Sequence, residues 1–141
     1  MSVEENKALI RRIIDEVVNA GNYEVVDDLF APNYVNHNPL PGVRTDREGV
    51  EQSFRTLRAA FPDLRAINDD LVAEGDRVVV LRGFEGTHER PFLEAAPTGK
   101  HIILDVITVF RVVNGRVAER WGVLDMLGVM RQLGLLPEQG H

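Results

Sequence analysis

The sequence predicts an α+β domain: a curved antiparallel sheet with N-terminal helices packed on one face, enclosing a pocket between the layers. Three observations predict it. Up to Phe61 the apolar residues recur at helical spacing, as in Leu9, Ile10, Ile13, Ile14, Val17 and Val18. From Leu64 onward the pattern turns to strands, the longest being the Ile- and Val-rich run His101 to Val113. Asn114-Gly115 is a strong two-residue hairpin signal that returns the chain antiparallel to that run.

The elements follow in order. Ser2-Val3-Glu4-Glu5 reads as a capping box opening the first helix, which Gly21 stops. A shorter helix carries Val25, Val26, Leu29 and Phe30 and must end before Pro32. Asn33 to Pro39 is extended and then turns, and Pro39 to Val43 is a loop. Thr45-Asp46-Arg47-Glu48 reads as a second capping box, opening a helix with Val50, Phe54, Leu57 and Phe61 on one side. Leu64 to Ala73 and Val78 to His88 are strands joined by the turn Glu74-Gly75-Asp76. Glu89 to Lys100 is a long connection of the kind that serves as a lid or binding loop. After the hairpin, Met126, Leu127, Val129, Met130 and Leu133 make a terminal helix stopped by Gly134.

A chain of 141 residues is long enough for one domain with a real core. It is read as a single domain over residues 1–134 with a loose tail, 135–141. The net charge of -6, without a Lys/Arg cluster, argues against nucleic acid as a partner. With no cysteine there is no disulfide framework, thiol nucleophile or thiolate metal site. No secretory signal and no apolar run long enough to span a bilayer are evident, so the expectation is a cytoplasmic protein without a membrane partner. Phosphate-binding glycine fingerprints and nucleophile elbows are absent, and no cofactor is expected.

The last strand, Gly115 to Asp125, is expected to form the inner wall of a small-molecule pocket. Under strict alternation Val117, Glu119, Trp121, Val123 and Asp125 share one face. Ile103, Asp105, Ile107 and Val109 share a face of the strand before it. If that is also the pocket's face, Asp105 and Asp125 could lie near one another, and two nearby carboxylates push one pKa upward, which suits acid/base work. A structural ion pair of Asp105 with Arg82, Arg111 or Arg120 is the competing reading. His37 and His88 could orient or protonate a substrate oxygen, or simply hydrogen-bond a loop carbonyl. Trp121, Tyr34 and Phe54 are either core residues or the lining of an aromatic-friendly cavity. No ligand spacing supports a metal site.

Several stretches then carry a family resemblance. They are Tyr34-Val35-Asn36-His37-Asn38-Pro39, Ala59-Ala60-Phe61-Pro62-Asp63-Leu64, Gly86-Thr87-His88, Ala96-Pro97-Thr98-Gly99-Lys100, and Glu119-Arg120-Trp121-Gly122-Val123-Leu124-Asp125. In this order, across nearly the whole chain, they resemble the SnoaL-like polyketide cyclases of the nuclear transport factor 2-like superfamily. The resemblance implies a cone-shaped α+β fold, a sheet-lined pocket for a hydrophobic small molecule, and often a homodimer. It implies cofactor-free intramolecular aldol ring closure, of the lyase or isomerase type. The chain departs from the family at the neighbours of His37, both amides here, and at Glu89-Arg90-Pro91-Phe92-Leu93-Glu94-Ala95, where the family runs through small glycines.

By its place after Trp-Gly-Val-Leu, Asp125 matches the family's acid/base aspartate. Ring closure needs a proton taken from a carbon between carbonyls and one delivered to the accepting oxygen. A carboxyl group whose pKa is raised by burial beside Trp121 could do both. Asn36, Asp105, His37 and His88 would orient or tune. The competing reading makes Asp125 the N-cap of the terminal helix, its carboxylate held by backbone N–H groups. Two further functions stay open: a non-catalytic binder of a small apolar ligand, and epoxide hydrolysis with water activated by Asp105 and Asp125.

Overall fold

The computed structural model describes residues 2–136 and, of Asn68, the backbone alone; most of the expected tail, from position 137, lies outside the described residues. Among the described residues the α-helices and strands are α1 (Val3–Ile13), α2 (Val26–Leu29), β1 (Phe30–Asn36), α3 (Glu48–Ala60), β2 (Arg65–Glu74), β3 (Arg77–Thr87), β4 (His101–Val113), β5 (Arg116–Leu124) and α4 (Met126–Gln132). The five strands form one curled, unclosed sheet in the order β1-β5-β4-β3-β2. The α+β class is the one expected. β2 to β5 pair antiparallel as a meander, whereas β1 runs parallel to β5 along one edge. Pro32 sits in that edge strand, the one place in a sheet where its missing N–H costs little.

Local chemistry explains the helix ends. The Ser2 hydroxyl accepts from the Glu5 N–H, and the Glu5 carboxylate accepts from the Ser2 N–H, so the first capping box forms as expected. α1 runs on as a π-helical segment, Ile14–Asn19, and Gly21 leaves it at φ +66°. The second capping box does not form. α3 begins beyond Arg47 with no side-chain cap, because Asp46 is drawn to the Arg44 guanidinium and the Thr45 carbonyl accepts from the Asn36 N–H, at 2.7 Å.

The core lies between the helices and one face of the sheet, here called the inner face. Val78, Val80 and Phe84 of β3 and Ile102, Leu104, Val106, Phe110 and Val112 of β4 are buried there against α1, α3 and α4. Removing each such side chain from water contributes about 1.5–3 kcal/mol. The connection after β3 is largely exposed but pinned to the core at two points, His88 and Phe92. His88 is fully buried, its N–H donates to the Lys100 carbonyl, and its own carbonyl accepts from the Gly99 N–H. Phe92 is buried against Phe61, ring centroids 5.2 Å apart.

β5 does not keep strict alternation. Val117 pairs with Val112 while Glu119 pairs with Arg111, which leaves Ala118 as an extra, bulged residue. An extra residue exchanges the two faces for everything that follows it. Val117 is therefore on the inner face, but so are Arg120, Gly122 and Leu124, opposite Phe110, Thr108 and Val106. Glu119, Trp121 and Val123 turn to the outer face, beside Ile107 and Val109, and Val123 is 71% exposed. This corrects the expected pocket wall: the face carrying Trp121, like the one carrying Ile103 and Asp105, points away from the helices.

Candidate functional site

A cavity of about 120 Å³ opens between the inner face and the helices. Its apolar wall comes from Ile13 and Val18, from Val50, Phe54 and Leu57 of α3, and from Phe84, Leu104, Val106 and Phe110 of the sheet. Seven polar residues enter it: Tyr34, Asn36, Asn38, Ser53, Arg82, Thr108 and Arg120. β1 supplies the first two because its edge position lays alternate residues, Tyr34 and Asn36, onto the inner side. Three residues expected at the site, Tyr34, Asn36 and Phe54, therefore do line the cavity.

The remaining expectations fall elsewhere. Asp125 is exposed and accepts from the Gly128 N–H at 2.9 Å as the N-cap of α4. That is the cap reading, and it arises because the chain turns from β5 into a helix at this residue. Asp105 is exposed on the outer face, and its carbonyl accepts from the Asp125 N–H. It makes no ion pair with Arg82, Arg111 or Arg120; Arg82 and Arg120 project from the opposite face. His37 stacks on Trp121, centroids 4.8 Å apart and planes 12° from parallel, with its Nε2 2.7 Å from Glu119. His88 hydrogen-bonds Thr98 through Nδ1, and its Nε2 has no partner. It anchors the connection between β3 and β4. Among the described residues, no carboxylate or imidazole lines the cavity.

Sequence reasoning missed Arg82 and Arg120 as site residues. Arg82 follows Val78 and Val80 and precedes Phe84 on the inner face of β3, and is 7% exposed. Burial pulls its pKa down to about 10, and the neighbouring Arg120 charge adds to the effect, while Asp69 opposes it. Arg120 reaches its place because Gly122 has no side chain: a Cβ there would lie 2.5 Å from the guanidinium Nη2. Its Nη1 donates to Asn36 Oδ1 at 3.1 Å. Burial lowers the Arg120 pKa too. Burial also pushes the Tyr34 phenol up to about 12, with Arg120 opposing, so it stays a hydrogen-bond donor at any ordinary pH. The cavity thus offers positive charge and neutral hydrogen-bonding groups, with no carboxylate among the described residues that line it.

Known proteins share this arrangement of chain. A model of the family described as SnoaL-like polyketide cyclase matches residues 8–133. The nogalonic acid methyl ester cyclase of Streptomyces nogalater is 25% identical over 118 residues, covering 82% of this chain and 88% of that protein. TsrD from Streptomyces laurentii superposes with a TM-score of 0.85 at 29% identity, over 96% of this chain and 99% of that one. IdmH from Streptomyces antibioticus superposes with a TM-score of 0.79 at 31% identity, over 92% and 98%.

Proposed function

The chain belongs to the SnoaL-like polyketide cyclases, and from that premise we propose that it binds a hydrophobic, oxygenated small molecule in the cavity and closes a ring on it by cofactor-independent, aldol-type acid/base chemistry. The observation that carries the reading is an apolar hollow lined by two hydrogen-bond donors, Tyr34 and Arg120. In such a ring closure a carbon between two carbonyls loses a proton and attacks a third carbonyl, whose oxygen takes a proton up. Tyr34 and Arg120 would hold the oxygens on which negative charge develops, where fixed donors in a dry site count most. Asp125 would carry the proton. It stands one residue beyond Leu124, which lines the cavity, and would have to release the Gly128 N–H to do so. The relative named for cyclising nogalonic acid methyl ester supports this class of substrate.

A second reading, binding without turnover, is favoured by one observation: the Asp125 carboxylate is engaged in capping α4. Incubation with nogalonic acid methyl ester separates the two, with the isomeric product followed by chromatography. Wild type is expected to convert the ester, and Asp125→Asn to bind it without converting it. The Asn variant keeps a good N-cap, so its fold is preserved. Binding with no conversion by wild type would leave the binder reading in place. Epoxide hydrolysis by an Asp105–Asp125 pair lacks comparable support, since Asp105 is on the outer face.

The outer face bears on a partner. Ile103, Ile107, Val123, Leu81 and Val72 are all exposed there, an apolar surface of the kind that marks association. A second copy of the chain is the proposed occupant, giving a homodimer. Sedimentation of wild type as a dimer and of Ile107→Lys as a monomer is the expected result; a wild-type monomer would end the proposal.

A further inference from the structure

Arg82 is poorly matched for a buried charge: its one ion pair, with Asp69, is long. Its Nε and Nη2 are buried without a hydrogen-bond partner. The nearest carboxylate oxygen, Asp69 Oδ1, is 3.9 Å from Nε, beyond hydrogen-bond reach, on a side chain that is itself partly exposed. Arg120, the second cation in the cavity, folds over Gly122 opposite Thr108, and its charge is close enough to depress that of Arg82. Two guanidinium groups therefore share one apolar hollow whose lining, among the described residues, holds no anion. Leaving Arg82 so poorly matched is costly, and a merely structural core would gain by replacing it. The chain as a whole is acidic, with net charge -6, so positive charge is gathered here against the general trend.

Resting on the reading that the cavity is the ligand site, we propose that it is built for an organic anion: a ring-sized apolar body bearing a delocalised oxygen anion, held by Arg82 and Arg120. The planar fork of a guanidinium suits a carboxylate or the enolate of a 1,3-dicarbonyl, each of which spreads one charge over two oxygens. Size limits the body. An engineered cavity of roughly 150 Å³ holds benzene, so one of about 120 Å³ takes no more than a single ring. The aromatic rim at Phe84, over which the Arg82 guanidinium lies at 5.5 Å, faces the same ring.

Calorimetric titration of the full chain with benzoate, benzamide and 1,3-cyclohexanedione tests this. Benzoate and benzamide share shape and differ in charge, and the dione supplies the enolate arm. At least one anion is expected to bind roughly tenfold or more tighter than benzamide; which one tells carboxylate from enolate. Arg82→Met should erase that preference while keeping benzamide binding. Gly122→Ala, which displaces the Arg120 guanidinium from its place, should weaken the anion alone, and it serves if the methionine variant does not fold. Benzamide binding as well as both anions would overturn the anion site and leave the pocket reading intact. An Arg82→Met variant that kept the full preference would also overturn it. Binding of none of the three would overturn both.

Discussion

The two faces of the sheet treat charge in opposite ways. On the outer face charged groups are exposed and matched to one another: Glu119 accepts from Arg111 at 2.6 Å and contacts His37, which stacks on Trp121, and Arg77 covers the indole ring at 5.1 Å. On the inner face Arg82 is buried and left with unbonded nitrogens, and Arg120 beside it is partly buried. A surface cluster satisfies itself and adds little to stability. A buried group so poorly partnered is retained at a cost, and the difference teaches where a ligand would be felt: behind the sheet, not at the tryptophan.

The largest expected effect contrasts neighbours on opposite faces. Leu104→Ala, fully buried in both core and cavity wall, should cost about 2–5 kcal/mol in urea unfolding. Ile103→Ala, one residue away and half exposed, should cost about 0.5 kcal/mol in the monomer. Equal costs would erase the distinction between the faces. Next, Arg82→Met should stabilise the empty protein by about 1–4 kcal/mol, because it removes a buried, badly matched charge. Arg111→Met, which breaks a partly exposed pair, should lose at most about 1 kcal/mol.

Asp125→Ala should lose about 1 kcal/mol as a lost cap, with Asp125→Asn near wild type, as thermal melts would show. The smallest effect is electrostatic. Hydrogen bonds from His37, then Arg111, hold the Glu119 carboxyl below its ordinary 4.5. A depressed acid stabilises the fold above its unfolded pKa and loses that contribution as pH falls through the folded one. The melting difference between wild type and Glu119→Gln should therefore be positive near neutrality and vanish in acid below 4.5.

Much of the fold was legible because the rules that build it are local. Asn114 and Gly115 adopt φ of +50° and +75°, the left-handed values their hairpin turn demands. The alternation of β4 is unbroken, with Ile102, Leu104, Val106, Thr108, Phe110 and Val112 all buried. Its facing was legible too, in a signal not used: His101, Asp105 and Arg111 share one parity, so the other parity must be inward. The bulge at Ala118 was not legible, since Val-Ala is acceptable on either face, and it moved Trp121 to the outside. The parallel pairing of β1 was equally hidden, being a long-range contact made by a short strand. Arg82 could have been found as the one charge among the inward positions of β3, between Val80 and Phe84.

The most direct test of the account is a crystal structure of the protein with nogalonic acid methyl ester. A ring of the ester inside the cavity, its oxygens within hydrogen-bond reach of Tyr34 and Arg120, is the predicted result. The same molecule seated on the outer face against Trp121, with the cavity closed, would contradict it.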